Sequence, residues 1–176
     1  PDTINYVLGI TKAYTTRVGS GPFVTELEND IGNHLVEKGQ EFGTVTKRKR
    51  RCGWFDAVLV GQSIAINGIT DVVLTKLDVL DELEQINVCI GYEVNGKKFD
   101  YLPFNENLQN KLVPIYETIA GWKKTTYGLT SWSDLPKKAQ DYIIFLKSKI
   151  EKNISIISTG PDRIHTIDRN NLLSNN

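Results

Sequence analysis

The sequence predicts an α/β protein with a mixed sheet, on three observations. Amphipathic helical segments alternate with short apolar runs rich in β-branched residues. Two of those runs, "DVVLT" at 71–75 and "ISII" at 154–157, have the length and composition of buried strands. Two alternating segments flank Asn95-Gly96, the strongest short signal for a β-hairpin, so part of the sheet is antiparallel.

Each element has its own justification. Thr25-Glu26-Leu27-Glu28 carries a capping-box pattern, and Leu27, Ile31, Leu35 and Val36 form an apolar stripe at helical spacing. A helix is therefore expected over 25–38, ended by Gly39. His34 within it reads as a surface or partly packed side chain rather than a ligand. A basic loop follows at 44–51, set between helices, and a second helix runs from Phe55 to Ile66, stopped by Asn67-Gly68. The strand at 71–75 leads into "KLDVLDEL", and the hairpin strands span 86–94 and 97–102. Segment 103–133 contains Pro103, Pro114, Gly121 and Gly128 and is expected to be mostly loop. Asp134 is placed to cap a helix over 135–152, with Pro136 in its first turn and Ala139, Tyr142, Ile143, Leu146 and Ile150 on its apolar face. The strand at 154–157 ends in "STGPDR". The tail from Ile167 is polar and expected to be loose at its end. There are no repeats, no low-complexity segment and no obvious linker.

The bulk composition excludes several classes of function. The 176 residues suit one domain with a sizeable core. A hydrophobic content of 40% and a charged content of 24% are those of a soluble globular protein. Lysine plus arginine equals aspartate plus glutamate at 21 each, which argues against a face that binds nucleic acid. No apolar stretch reaches the roughly 18 residues of a membrane span, and no signal-peptide pattern opens the chain. Cys52 and Cys89 have no neighbouring Cys or His at metal-ligand spacing, so they read as idle thiols of a reducing compartment, the cytoplasm. The chain begins with Pro1 and contains no methionine, as expected of a processed product or a piece of something longer.

Three segments carry candidate chemistry. In "LTKLD", Lys76 and Asp78 follow the carboxyl end of a strand, where open α/β sheets bind ligands. A carboxylate there can accept two hydrogen bonds from guanine, from the ring N–H and the exocyclic amine, and adenine has no such donor pair. The lysine stem can lie along a purine face while its ammonium stays polar. The tetrapeptide resembles the Asn/Thr-Lys-x-Asp guanine motif of GTP-binding proteins. Ser158-Thr159-Gly160 closes the second strand, and its small residues let backbone N–H groups approach a carbonyl such as guanine O6. The third segment is "TVTKRKRRCGW", with five consecutive basic residues from Lys47 to Arg51 in a chain of zero net charge. Arginine grips phosphate and carboxylate bidentately. Glycine and threonines before the run, and Gly53-Trp54 after it, suggest a constrained anion-binding loop rather than a disordered nuclear signal or nucleic-acid arm.

Five stretches in the same order resemble the adenylosuccinate synthetase family: "KAYTTRVGSGPFVTEL" (12–27), "NHLVEKGQEFGTVTKRKRRCGWFD" (33–56), "LTKLDVLDEL" (74–83), "PIYETIAGW" (114–122) and "ISTGPDR" (157–163). The resemblance covers Tyr6 to Arg163. It implies the carboxy-terminal part of a P-loop-GTPase-like fold, with a mixed sheet and a β-hairpin insertion, over 1–176 of a single larger domain. The family joins inosine monophosphate (IMP) to L-aspartate with GTP and Mg²⁺, in AMP biosynthesis. GTP phosphorylates the purine 6-oxygen, and the aspartate amine then displaces phosphate.

By the same resemblance, Thr44, Val45, Thr46, Lys47, Arg48, Lys49 and Arg50 form the loop that closes over aspartate. Arg48 bridges IMP ribose and aspartate, Arg50 lies near GTP, and Val18 lies beside the IMP ribose. Lys76, Leu77 and Asp78 recognise guanine together with Ser158, Thr159 and Gly160.

Two departures stand in the loop. Val45 replaces a threonine, a change worth about 1 kcal/mol if one hydrogen bond is lost, and Lys47 replaces a glycine that tolerates positive φ. Ala120 also stands where the family has proline. The family's Gly-Asp-Glu-Gly-Lys-Gly-Lys loop, its catalytic histidine and a subunit-crossing arginine do not occur in this sequence. The resemblance therefore implies that this segment contains no catalytic residue and no metal ligand. Mg²⁺ would be held by an amino-terminal part, the chain alone would be inactive, and the full-length form would be a homodimer. The rival expectation is a guanine-nucleotide-binding fragment without catalysis.

Overall fold

A computed structural model describes residues 4–173. The first strands, β1 (Leu8–Lys12) and β2 (Thr15–Arg17), precede helix α1 (Asp30–Gly39). Strands β3 (Arg51–Gly53) and β4 (Phe55–Asp56) lead into α2 (Ala57–Asn67) and β5 (Asp71–Thr75). The hairpin follows as β6 (Gln85–Val94) and β7 (Lys97–Phe99), then the short α3 (Glu106–Gln109) and β8 (Val113–Ala120). Helix α4 (Lys137–Ile150) and strands β9 (Ile154–Ser158) and β10 (Thr166–Asp168) complete the order.

Two four-stranded sheets organise these elements. In the first, β1, β5 and β9 run parallel side by side, and β10 closes one edge antiparallel to β9. In the second, β8 pairs along one edge of β6, while β4 and β7 share the other. The mixed α/β architecture with a hairpin around Asn95-Gly96 agrees with the sequence. So does the apolar face of α4, whose Ala139, Tyr142, Ile143, Leu146 and Ile150 are all buried. They join Val72, Leu74, Ile154 and Ile157 of the parallel strands in the main core. Each fully buried Leu or Ile contributes roughly 1.5–3 kcal/mol.

Several boundaries differ from expectation, each for a tertiary reason. Helix α1 starts at Asp30, not at residue 25. Residues 25–27 instead pair with β3, through Leu27 N–H to the Cys52 carbonyl at 2.9 Å and Trp54 N–H to the Thr25 carbonyl at 3.1 Å. Asn29 takes over as the cap and accepts from Gly32 N–H at 3.1 Å. Gly39 is the last helical residue, and Gln40 makes the left-handed turn at φ 50°. Phe55 and Asp56 pair with β6, so α2 begins at Ala57 with Asp56 as its cap. The second hairpin strand ends at Phe99 rather than 102.

The segment expected to be loop holds the eight-residue β8, paired from Gln85↔Ala120 to Glu93↔Val113. Pro114 is tolerated because β8 is an edge strand, where an absent N–H breaks no ladder on the outer side. Asp134 ends a 3₁₀ turn and does not cap α4; the Pro136 carbonyl receives the first helical N–H groups, from Ala139 at 2.8 Å and Gln140 at 3.1 Å. Ile167 is buried within β10, so the tail is anchored there, and its last three residues, 174–176, lie outside the described residues.

Candidate functional site: the carboxyl ends of the parallel strands

The register sets Lys12 opposite Thr75 and Leu74 opposite Ile157, so β1, β5 and β9 end along one edge of the sheet. Loops leaving that edge hold two of the three candidate segments. Lys76 adopts a left-handed conformation, φ 60° and ψ 37°, and turns the chain from β5 into a 3₁₀ turn over Leu77–Leu80. Leu77 is fully buried and anchors that turn. Asp78 is left half-buried at the start of that turn. Burial pushes its carboxyl above the ordinary range, aided by the nearby Asp81 charge, while its own N–H, Lys76 and His165 oppose the shift.

The second segment is clamped from both sides. Thr159 is fully buried; its Oγ1 donates to the Leu129 carbonyl at 2.8 Å and its N–H to the His165 carbonyl at 3.0 Å. Gly128 N–H donates to the Thr159 carbonyl at 3.1 Å, and Ser158 Oγ donates to the Gly160 carbonyl at 2.9 Å. Only glycine fits at 160, because a β-carbon there would meet His165 Nδ1 at 2.5 Å and Tyr127 Cε2 at 3.2 Å.

The Tyr127 and His165 rings meet edge to face, with centroids 5.0 Å apart. Asp81 holds the start of the Tyr127 segment by accepting from Trp122 Nε1 at 2.7 Å and from the N–H and hydroxyl of Thr126 at 2.6 and 2.7 Å. The segment from 122 to 129 is therefore tied to the turn after β5 through Asp81 and to the turn after β9 through Thr159. An open cavity of about 620 Å³ lies along it, lined by Asp78, Tyr127, Lys123, His34 and Lys38.

The basic run is one limb of a hairpin-like loop, not a linker between two helices. Phe42 and Lys49 form an antiparallel bridge, Gly43 N–H donates to the Arg48 carbonyl at 2.8 Å, and Lys47 N–H donates to the Gly43 carbonyl at 2.8 Å. The tip, Thr44 to Arg48, is exposed, with Val45 at 91%. Lys47 stands at φ 52°, so the lysine does adopt the left-handed conformation that a glycine would favour. Lys49 donates to Asn33 Oδ1 at 2.6 Å, and Arg50 donates to Glu41 Oε2 at 2.9 Å. Arg51 has a packing role: it pairs with Glu26, donates to the Gly21 carbonyl at 2.8 Å and stacks over Phe23. Through Arg17↔Arg51 the β2–β3 ribbon carries Val18, 77% exposed, to the same end as the loop.

The structure thus brings Lys76–Asp78 and Ser158–Gly160 to neighbouring strand ends. Arg50 and Lys76 both approach Glu41, at 2.9 and 3.7 Å. Arg48 and Val18 stand exposed, and no bond links them. Sequence reasoning missed Glu41, Tyr127 and His165. Glu41 had a usable signal, a lone acid six residues ahead of a five-residue cation run. Tyr127 and His165 had none, because their roles arise from packing against Gly160. Among the described residues no group of three or more His, Cys, Asp or Glu side chains is placed to hold a metal ion. No helix among them is long and apolar enough to cross a membrane.

A parallel sheet with two constrained loops at its carboxyl edge belongs to the class of α/β proteins that bind ligands across strand ends. A sequence model of the adenylosuccinate synthetase family matches residues 1–167, and the chain belongs to that family. A solved structure of fully ligated adenylosuccinate synthetase from Plasmodium falciparum is similar, with 40% sequence identity and a TM-score of 0.90. The match covers 94% of this chain and 40% of the other, so this chain spans two-fifths of that protein's length.

Proposed function

We propose that this chain forms the guanine-reading and aspartate-binding part of an adenylosuccinate synthetase, which joins IMP to L-aspartate at the expense of GTP in AMP synthesis. The observation that carries the proposal is the adjacency of the β5 and β9 carboxyl ends, with Asp78 half-buried on one side and the clamped Gly160 turn on the other. In this reading Asp78 accepts from the guanine ring N–H and exocyclic amine, and the Gly160 backbone meets the guanine carbonyl. Leu77 seats the segment from below, the Lys76 stem lies along the base, and Ser158 and Thr159 shape the turn.

The loop from Thr44 to Arg50 receives aspartate. Its exposed tip supplies Thr44, Val45, Thr46, Lys47 and Arg48, with Lys49 flanking them. Arg48 reaches the aspartate carboxylates and the IMP ribose, Val18 lies beside that ribose, and Arg50 faces GTP. Charge-assisted, bidentate contacts are what arginine offers such groups.

The phosphate-cradling loop, the general base and the Mg²⁺ ligands come from another part of the enzyme in this reading, with the present chain the carboxy-terminal segment of one larger domain in a homodimer. Cytoplasmic residence belongs to the same proposal, supported by two free thiols whose burial pushes Cys52 up to about 11 and Cys89 up to about 12.

The test is adenylosuccinate formation from IMP, GTP, Mg²⁺ and aspartate, with this chain alone and within the complete enzyme. Turnover only by the complete enzyme is expected. Turnover by the chain alone overturns the division of labour, and guanine-nucleotide binding without turnover by the complete enzyme favours a non-catalytic binding role.

A further inference from the structure

Glu41 is a carboxylate with no exposed side-chain surface at the junction of three chain segments. Lys12, the last residue of β1, donates to both its oxygens at 2.7 and 2.8 Å. Tyr14 donates to Oε1 at 2.6 Å, and Arg50, at the foot of the basic loop, donates to Oε2 at 2.9 Å. Lys76, the first residue of the guanine segment, lies 3.7 Å from Oε1 and donates to the Gly39 carbonyl at 2.5 Å. Gly39 is glycine because a β-carbon would meet the Tyr14 hydroxyl at 2.1 Å, which would push that phenol off Glu41.

One buried anion therefore holds three cations, two of which belong to different candidate subsites. Without it, the ammonium and guanidinium groups would repel each other in a poorly solvated place. Arg50 is also only partly satisfied. Its Nη1 is taken by Glu41, while its Nε is buried without a partner among the described residues. The guanidinium is thus held at one nitrogen and leaves part of its donor capacity unused in this arrangement.

We propose that Glu41 is a positioning residue that couples the basic loop to the guanine segment, by fixing Arg50 and Lys76 against one carboxylate. The inference rests on the functional reading above. A ligand that draws Arg50 toward itself changes the field at Lys76 through their shared partner, and guanine binding at Lys76 changes the set of Arg50 in return, because coupling between sites is reciprocal.

The test is a double-mutant cycle in the complete enzyme with Arg50→Met and Lys76→Met, both partly exposed positions, followed by GTP affinity and by KM for GTP and aspartate. The expected result is non-additivity of about fivefold or more, because residues sharing one partner couple. In a Glu41→Gln background the same cycle should become additive within about twofold, with KM for GTP and aspartate raised together and kcat changed less than KM. A purely structural Glu41 would lower the melting temperature and leave the cycle additive with Glu41 present, which overturns the proposal; this outcome is readable even if Glu41→Gln fails to fold. A wild-type enzyme that binds no guanine nucleotide overturns the functional reading and the coupling with it. A wild type that binds and turns over, with additive effects, overturns the coupling alone.

Discussion

A β-carbon on Gly160 would lie 2.5 Å from Nδ1 of His165, a nitrogen that is itself buried without a partner among the described residues. The turn after β9 is therefore shaped by a ring that belongs to the approach to β10. Gly160→Ala should push the turn or the ring aside at a cost of about 1–3 kcal/mol, the usual range for overpacking. GTP affinity should fall about tenfold, while His165→Ala alone should change it little. The double variant should recover most of the loss, because the nearest clashing atom is gone. Titration calorimetry with GTP on the four proteins checks this; a double variant no better than Gly160→Ala would place the fault elsewhere.

Asp78 is the base-selecting group of the proposal. Asp78→Asn keeps the shape but cannot accept from both guanine donors, so preference for GTP over ATP should fall by about 1–3 kcal/mol, the value of a good bidentate base contact. The pH dependence follows from its raised pKa. The ionised form exists above that pKa, and burial has moved it upward from the ordinary aspartate value. Guanine preference should therefore start to fail, as pH drops from neutrality, earlier than a freely solvated aspartate would allow. Competition between GTP and ATP across that range is the measurement.

Glu41 predicts an acid-sensitive fold. Burial alone would raise its carboxyl, but hydrogen bonds from Lys12, Tyr14 and Arg50 outweigh it and hold the group below its ordinary value of 4.5. A carboxylate depressed in the folded state contributes stability that is fully present above the unfolded value and is lost as pH falls through the folded one. The melting temperature should decline below about pH 4.5 in the wild type, by this mechanism. Thermal melts of Glu41→Gln should show a lower plateau at neutral pH and a shallower acid limb. An unchanged acid limb would assign the sensitivity to other carboxylates.

Lys47 is a lysine at φ 52° in an exposed loop tip. A side chain in that region carries about 1–2 kcal/mol of strain, less for asparagine and none for glycine. Lys47→Gly should leave stability within about 1 kcal/mol of wild type, because relief of strain offsets the added freedom of the unfolded chain. Lys47→Asn should be neutral or stabilising by up to about 1 kcal/mol, because asparagine tolerates the left-handed region without that added freedom. Lys47→Val should be destabilising by more than about 1 kcal/mol, since a β-branched residue resists positive φ. Denaturant melts rank the four. At Val45, 91% exposed at the same tip, a hydroxyl has room to form. Val45→Thr should lower KM for aspartate several-fold, the effect of about 1 kcal/mol from one hydrogen bond.

Local pattern was a good guide wherever the physics is local. The β-branched run of β5 and the Asn95-Gly96 turn act over a handful of neighbours. So does the 3.6-residue stripe that buries Ala139 through Ile150. The same locality made the three loop segments visible as motifs, since strand ends and turn residues mark them within a few positions. Pro114, by contrast, misdirected the reading of β8, because a turn former on an edge strand costs little once the partner strand is in place.

What the sequence by itself determined is the α/β class, the hairpin, the apolar face of α4 and the segments with candidate chemistry. Only tertiary structure decided where α1 begins, that β8 is a strand, and that Glu41 ties Arg50 to Lys76. The reason is that these features rest on pairings far apart in the chain: Thr25 with Trp54, Gln85 with Ala120, Glu41 with Lys12. Such contacts have no energy in an isolated segment. They appear only once the sheet has set its strands in register, and the same register places Asp78 and Gly160 at neighbouring strand ends.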